Sequence, residues 1–285
     1  MTADMLPEFA EQLIPPGHDR STVAHRKAEL RARLEAAGIA IVDTFEAGSF
    51  SHGTGVKDHA DVDNMVWVKL EQRPQWPSTI LGLLREALRP LGVRSVTVTT
   101  PAVRIEYLTP PHFEVVPAFY NGTKDDVIVF EIPGRRDEWV VSAPEAHNAL
   151  VNVHNDRLGK KLKPLVRLLK AWKYYADVQL SSFYIEMRTT EYARDEKSIL
   201  YEIDLKRVLR AILSKDLADM NDPSGIVGRI PACSSDEAHR SARSAMRAAL
   251  DNLEPAQTYR AAGDTGNYWI AMSRVFGTSF PWPAR

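Results

Sequence analysis

Apolar positions along the chain follow two regimes. From about residue 40 to residue 132 they come in short alternating or β-branched runs, the signature of strands. From residue 144 onward they recur every three or four positions, the signature of helices. The first regime predicts strands over 40–46, 61–70, 93–99, 102–107, 112–119 and 126–132. A helix is expected ahead of them over 21–37, capped by Ser21 or Thr22 and ended by Gly38, and another over 78–91, with Pro90 near its end. Residues 48–55 hold three glycines and three hydroxyl residues and read as a loop or tight turn. The second regime predicts helices over 144–158, 160–175, 181–193, 197–219, 236–253 and 263–276. Residues 221–235, with Pro223, Gly225, Gly228 and Pro231, read as a long loop. Strands gather first and helices second. That order predicts an α/β lobe over residues 1–143 and a helical lobe over 144–285, with a ligand cleft between them.

Composition narrows the function classes. The 285 residues carry 36 Lys+Arg against 37 Asp+Glu, a formal net charge of −1, which argues against a nucleic-acid coat and leaves no stable nucleic-acid partner expected. The single cysteine, Cys233, excludes an internal disulfide framework and a cysteine-rich zinc site. It has no neighbouring His to support a nucleophilic role. His52, His59, His112, His147, His154 and His239 are scattered without zinc-ligand spacing. No apolar run is long enough to span a membrane, and the N-terminal stretch lacks a basic start followed by an apolar core. A cytoplasmic protein, monomeric or weakly dimeric, is expected.

The stretch GSFSHGTGVKDHADVDNMVWV, residues 48–68, concentrates the chemistry. Asp61 and Asp63 are two apart in a predicted strand, so both carboxylates point to one face. An isolated D-x-D pair is most often a solvated strand face. Here Val62, Met65, Val66, Trp67 and Val68 mark the strand as largely buried beyond Asp63. Adjacent carboxylates repel, and a divalent cation offsets the repulsion. Mg²⁺ takes one or two carboxylates together with phosphate oxygens and water, which suits a nucleotide substrate. Upstream, Gly48 and Ser49 offer backbone amides and a hydroxyl to phosphates. In the helical half, RLGKKLKPLVRLLKAWK (residues 157–173) has seven basic residues and no acid. Leu162, Leu165, Val166, Leu169 and Trp172 form an apolar stripe, and Lys163, Arg167 and Lys170 share another face. Such a face is usually solvated, but a triphosphate also relieves it. Ser182 starts the next helix and can offer its hydroxyl and free amides to a phosphate, while Phe183 or Tyr184 can stack on a base.

The pattern G-S-F-x-x-x-T-x-V-x-x-x-x-D-V-D, filled by Gly48, Ser49, Phe50, Thr54, Asp61 and Asp63, resembles the polymerase-β-type nucleotidyltransferase superfamily. More narrowly, it resembles the bacterial cGAS/DncV-like nucleotidyltransferases. The resemblance implies a third carboxylate on a neighbouring strand. Glu114, in His112-Phe113-Glu114-Val115-Val116-Pro117-Ala118, resembles the family's Asp-Val-Val-Pro-Ala strand with Glu for Asp; Glu106 lacks that context. "RLLKAW" followed by "SSFYIE" resembles the oligoadenylate-synthetase-type helical lobe. This implies that Lys170 and Ser182 hold a triphosphate and that Phe183 stacks on a base. The ending Val275-Phe276-Gly277-Thr278-Ser279-Phe280-Pro281 resembles the group's FG-x-x-FP close, so the likeness runs over residues 20–281.

The implied fold is a polymerase-β-like lobe with a mixed sheet plus the helical lobe. The implied catalytic and metal-holding residues are Asp61, Asp63 and Glu114, with two Mg²⁺ ions, replaceable by Mn²⁺. The implied reaction joins NTPs into a cyclic di- or trinucleotide with release of pyrophosphate, and the product acts on a separate effector in bacterial antiphage (CBASS) signalling. Two other readings stay open. One is an enzyme of the same fold that moves a nucleotide onto a small molecule, protein or RNA end. The other is an inactive nucleotide-binding protein.

Overall fold

The computed structural model describes residues 4–15 and 20–282. The chain divides into two compact units. One is Pro15–Ala149, the other Leu150–Arg285 together with Met1–Ile14.

The first unit is built on a seven-stranded mixed sheet. Its strands are β1 (Ile41–Ala47), β2 (Val62–Val68), β3 (Ser95–Thr99), β4 (Ala102–Glu106), β5 (Phe113–Lys124), β6 (Val127–Pro133) and β7 (Trp139–Ser142). The order is β1-β2-β5-β4-β3, and β6 pairs with both β5 and β7. Only β2 and β5 run parallel. β5 runs past the expected end at residue 119 because its second half gains a partner. Phe113–Val115 pair with β4, whereas Phe119–Lys124 pair with β6. The four-residue β7 was not expected, because so short a run leaves little periodicity to read.

Alternation divides the sheet's two faces. On one, Val62, Val66, Val68, Val103, Ile105, Phe113 and Val115 pack with residues from two helices. These are α2 (Arg20–Ala36), which contributes Leu30 and Leu34, and α4 (Pro77–Leu88), which contributes Ile80, Leu84 and Leu88. The opposite face has a smaller cluster of Ala47, Met65, Ala102, Val116, Ala118 and Phe130. Trp67 packs edge-on to Phe130 there, with ring centroids 5.4 Å apart. Residues 48–55, expected as a loop or tight turn, open with one helical turn, α3 (Gly48–His52). Gly53 ends it in the left-handed conformation at φ 67°.

The second unit is helical: α6 (Leu162–Tyr175), α7 (Ser182–Ala193), α8 (Tyr201–Ser214), α9 (Asp236–Ala262) and α10 (Thr265–Phe276). α5 (Pro144–Arg157) carries the chain from the first unit to the second. The unforeseen helix α1 (Leu6–Gln12) belongs with this unit rather than with the sheet. Its Phe9 meets Phe276 and Phe280 edge-on, with both centroids at 5.2 Å. The FG-x-x-FP ending is therefore an aromatic anchor for the N-terminal helix. α9 runs 27 residues and passes through Pro255, where the sequence predicts an end near residue 253. Proline costs the helix one internal bond. Beyond it, Ala256 is buried, and Arg260 makes two bonds to Glu202 of α8, at 3.0 and 2.6 Å. The loop over 221–235 carries β9 (Arg229–Ile230), which pairs with β8 (Met220–Asn221) at the loop's entrance. Among the described residues, no helix is long and apolar enough to cross a membrane.

Candidate active site

Sheet register assembles the carboxylates. Asp63 of β2 lies opposite Glu114 of its parallel neighbour β5. Residues in register on adjacent strands share a face, and Asp61 lies one alternation before Asp63. All three carboxylates therefore belong to the face that carries Met65, Val116 and Phe130, not to the face packed by α2 and α4. Burial holds the Glu114 carboxyl above the usual carboxylate range; the nearby charge of Asp61 adds to this and Arg104 opposes it.

The turn before the strand is shaped around Asp63. Gly48 has φ 62°, a backbone conformation costly for any residue with a Cβ. A Cβ there would also lie 2.5 Å from Asp63 Cγ and closer still to Oδ2. Glycine thus lets the carboxylate lie against the start of α3. The carbonyl of Ser49 accepts the amides of Thr54 and Gly55, each at 3.0 Å, which closes the loop. Phe50 packs on the main core, and Thr54 is fully buried. These two motif positions hold the turn in place.

A cation on this face escaped sequence reading. Arg104 of β4 lies in register with Glu114, and its Nε stands 3.2 Å from Asp61 Oδ2. Its only sequence signal is a charged residue among the buried Val103 and Ile105, and its carboxylate partner is fixed only by the order of the strands. Glu106, two residues on, is engaged elsewhere. It accepts from Ser95 Oγ at 3.1 Å and pairs with Arg94.

Three carboxylates beside a glycine cradle make a donor set suited to a hard divalent cation. In this conformation, among the described residues, no three His, Cys, Asp or Glu side chains converge closely enough to hold a metal ion. Asp61 is turned onto Arg104.

In the helical unit, the basic run is largely consumed by the fold. Arg157 donates to the carbonyls of Ala193, Arg194 and Glu196, and so closes the C-terminal end of α7. Lys160 pairs with Asp156. Arg167 is buried and donates to the carbonyl of Ala10 at 3.3 Å. Lys170 departs from its expected role. Its ammonium lies 2.5 Å from Glu186 Oε2, and both side chains are sealed from solvent. The lysine that meets Ser182 is Lys173, whose Nζ donates to Ser182 Oγ at 2.9 Å. The Tyr174 hydroxyl stands 3.1 Å from the same oxygen. Burial and the neighbouring Lys170 hold the Lys173 ammonium below its ordinary range. Lys170 and Lys173 are one helical turn apart, so burial, not spacing, tells them apart.

The first turn of α7 sorts the aromatics. Ser181 caps the helix, accepting from the Tyr184 amide at 3.2 Å. Tyr184 is fully buried and donates to the carbonyl of Ala218 at 2.9 Å. Phe183 is 38% exposed, which leaves ring surface for a base.

A family model for the Second Messenger Oligonucleotide or Dinucleotide Synthetase domain matches residues 1–155. The chain belongs to this family. Its resemblance to the bacterial cGAS/DncV-like nucleotidyltransferases is thereby borne out. A cyclic AMP-AMP-AMP synthase from Acinetobacter sp. (strain ATCC 27244 / 9458) is 28% identical over 141 residues. That match spans 46% of this chain and 39% of the relative, well under half its length. Among solved structures, E. coli MS115-1 CdnC with ATP superposes with a TM-score of 0.76 at 17% identity, covering 99% of each chain. The Bradyrhizobium diazoefficiens CD-NTase CdnG in complex with GTP gives 0.73 at 16%, covering 96% of this chain and 94% of that one. This chain thus has the mixed-sheet, polymerase-β-like fold expected from the sequence, with a helical C-terminal region.

Proposed function

We propose that this protein is a Mg²⁺-dependent nucleotidyltransferase. It joins NTPs into a cyclic di- or trinucleotide with release of pyrophosphate, and the product acts on a separate effector in bacterial antiphage signalling. The observation that carries the reading is the sheet register. Asp63 and Glu114 are opposed on parallel strands, Asp61 is on the same face, and the bare Cα of Gly48 lies against Asp63. Membership of the synthetase family supports it.

Asp61, Asp63 and Glu114 would hold the divalent cations, for which Mn²⁺ would substitute. Bound there, the cations supply charge that eases deprotonation of a ribose hydroxyl and stabilises the leaving pyrophosphate. The hydroxyl oxygen attacks the α-phosphorus of the donor NTP. The bond from that phosphorus to the bridging oxygen breaks, and the electron pair leaves with pyrophosphate. Glu114 receives the hydroxyl proton; burial and the charge of Asp61 hold its carboxyl above the usual carboxylate range. Gly48 and Ser49 orient the donor phosphates through backbone amides and a hydroxyl. Lys173 and Ser182 take a triphosphate, and Phe183 stacks on a base. Lys170 acts indirectly, by holding α6 to α7 through Glu186.

The test is incubation with labelled ATP, GTP, CTP and UTP, singly and mixed, with Mg²⁺ or Mn²⁺. Products are treated with phosphatase and resolved by mass, with Asp61→Ala/Asp63→Ala as the blank. A phosphatase-resistant product absent from the blank is expected. Labelled nucleotide transferred only to an added small molecule, protein or RNA would replace the cyclase reading with that of another transferase.

A further inference from the structure

We infer that Arg104 is the protein's own counter-ion for the carboxylate face and that its guanidinium exchanges with the incoming divalent cation. Cation uptake is thereby tied to arrival of the nucleotide. The inference rests on the reading of Asp61, Asp63 and Glu114 as the cation-holding set.

Three observations carry it. Sheet register sets Asp63, Glu114 and Arg104 side by side on successive strands, and the guanidinium reaches Asp61 at 3.2 Å. The three carboxylates do not converge while that pair is made. And the pair is built to break. The Arg104 side chain is 43% exposed, and its Nε makes no well-aligned hydrogen bond. With Asp61 20% exposed the pair is half-open to solvent, and a partly solvated ion pair of this kind contributes little net stability, so the guanidinium can leave it for another anion.

The consequence follows from charge. A guanidinium on Asp61 occupies a ligand oxygen and repels a dication at the same spot. The phosphates of a nucleotide offer that planar guanidinium a two-pronged partner. Nucleotide and cation therefore favour each other's binding, and the coupling is reciprocal.

The test measures Mn²⁺ binding to the full chain by electron paramagnetic resonance, with and without a non-hydrolysable ATP analogue. Wild type should bind Mn²⁺ weakly alone and markedly better with the analogue. Arg104→Gln should bind Mn²⁺ alone roughly three- to tenfold more tightly, because one unit of positive charge has left the site, and should gain less from the analogue. Arg104→Lys keeps the charge and should stay near wild type. Equal or weaker Mn²⁺ binding by Arg104→Gln would overturn the exchange. Asp61→Asn/Asp63→Asn separates this failure from a failure of the reading beneath it. Mn²⁺ binding retained in that double variant overturns the cation site itself. Binding lost there, without tightening in Arg104→Gln, overturns the exchange alone.

Should Arg104→Gln not fold, the wild type still decides. The Arg104 Nε–Hε resonance, identified by its absence from Arg104→Lys, should move on addition of Mg²⁺ and the analogue. An unmoved resonance refutes the exchange.

Discussion

Lys170–Glu186 in the helical unit and Arg104–Asp61 in the sheet unit join the same kinds of charge at different depths. The side chains of the first pair are 2% and 3% exposed, those of the second 43% and 20%. Depth decides what each pair can do. A sealed pair cannot be opened without stranding a charge in a poorly polarisable interior, so it acts as structure. A half-open pair exchanges partners with water, metal or phosphate at small cost, so it is available to function. The lysine that the family resemblance assigns to phosphate is the sealed one, and the arginine that sequence reading passes over is the open one.

The comparison can be broken from several sides. The largest effect is expected on the open face. Asp63→Asn should lower turnover by about a thousandfold or more, since on the proposed reading it loses a metal-holding carboxylate and several kcal/mol of transition-state stabilisation. Its thermal melt should stay close to wild type, and a melt that collapses with activity would assign Asp63 to the fold. The sealed pair should give the reverse pattern. Lys170→Met takes the ammonium away from the buried Glu186 carboxylate, and urea unfolding should report a loss of about 3–5 kcal/mol. Lys170→Met/Glu186→Leu should recover most of that loss. If it does not, the pair contributes more than mutual neutralisation.

Next comes Gly48→Ala. The added methyl meets the Asp63 carboxylate and the left-handed backbone disfavours it, at a cost of about 1–3 kcal/mol. Activity should fall more than that stability loss explains, because the methyl displaces the Asp63 carboxylate, which the proposed function places at the reacting site. The smallest effect belongs to Phe183→Ala. Loss of base stacking should raise KM by roughly tenfold, on a scale of about 1–3 kcal/mol per stacked base, with little change in unfolding. An unchanged KM for every NTP would remove Phe183 from the site.

The carboxylates were legible in the sequence because a strand's period of two is short and strict. Asp61 and Asp63 had to share a face, and the apolar residues after them marked the strand as buried. Glu114 could be named only from its Val-Val-Pro setting. That it stands opposite Asp63 is a matter of register between strands about fifty residues apart. The first-turn residues of α7 were placed correctly, yet helical period alone did not separate Phe183 from Tyr184. Burial did, sending Tyr184 into the core.

Local patterns in this chain determined the two regimes of structure, the carboxylate pair and the glycine turn before it, because each depends on neighbours a few residues away. Long-range packing decided the rest. Strand order brought Arg104 to Asp61, the path of the chain gave α1 to the helical unit through Phe9, and the packing of α6 on α7 buried Lys170 and left Lys173 beside Ser182. Charge carries no period of its own. Whether a basic residue serves the fold or a ligand depends on what folding packs around it.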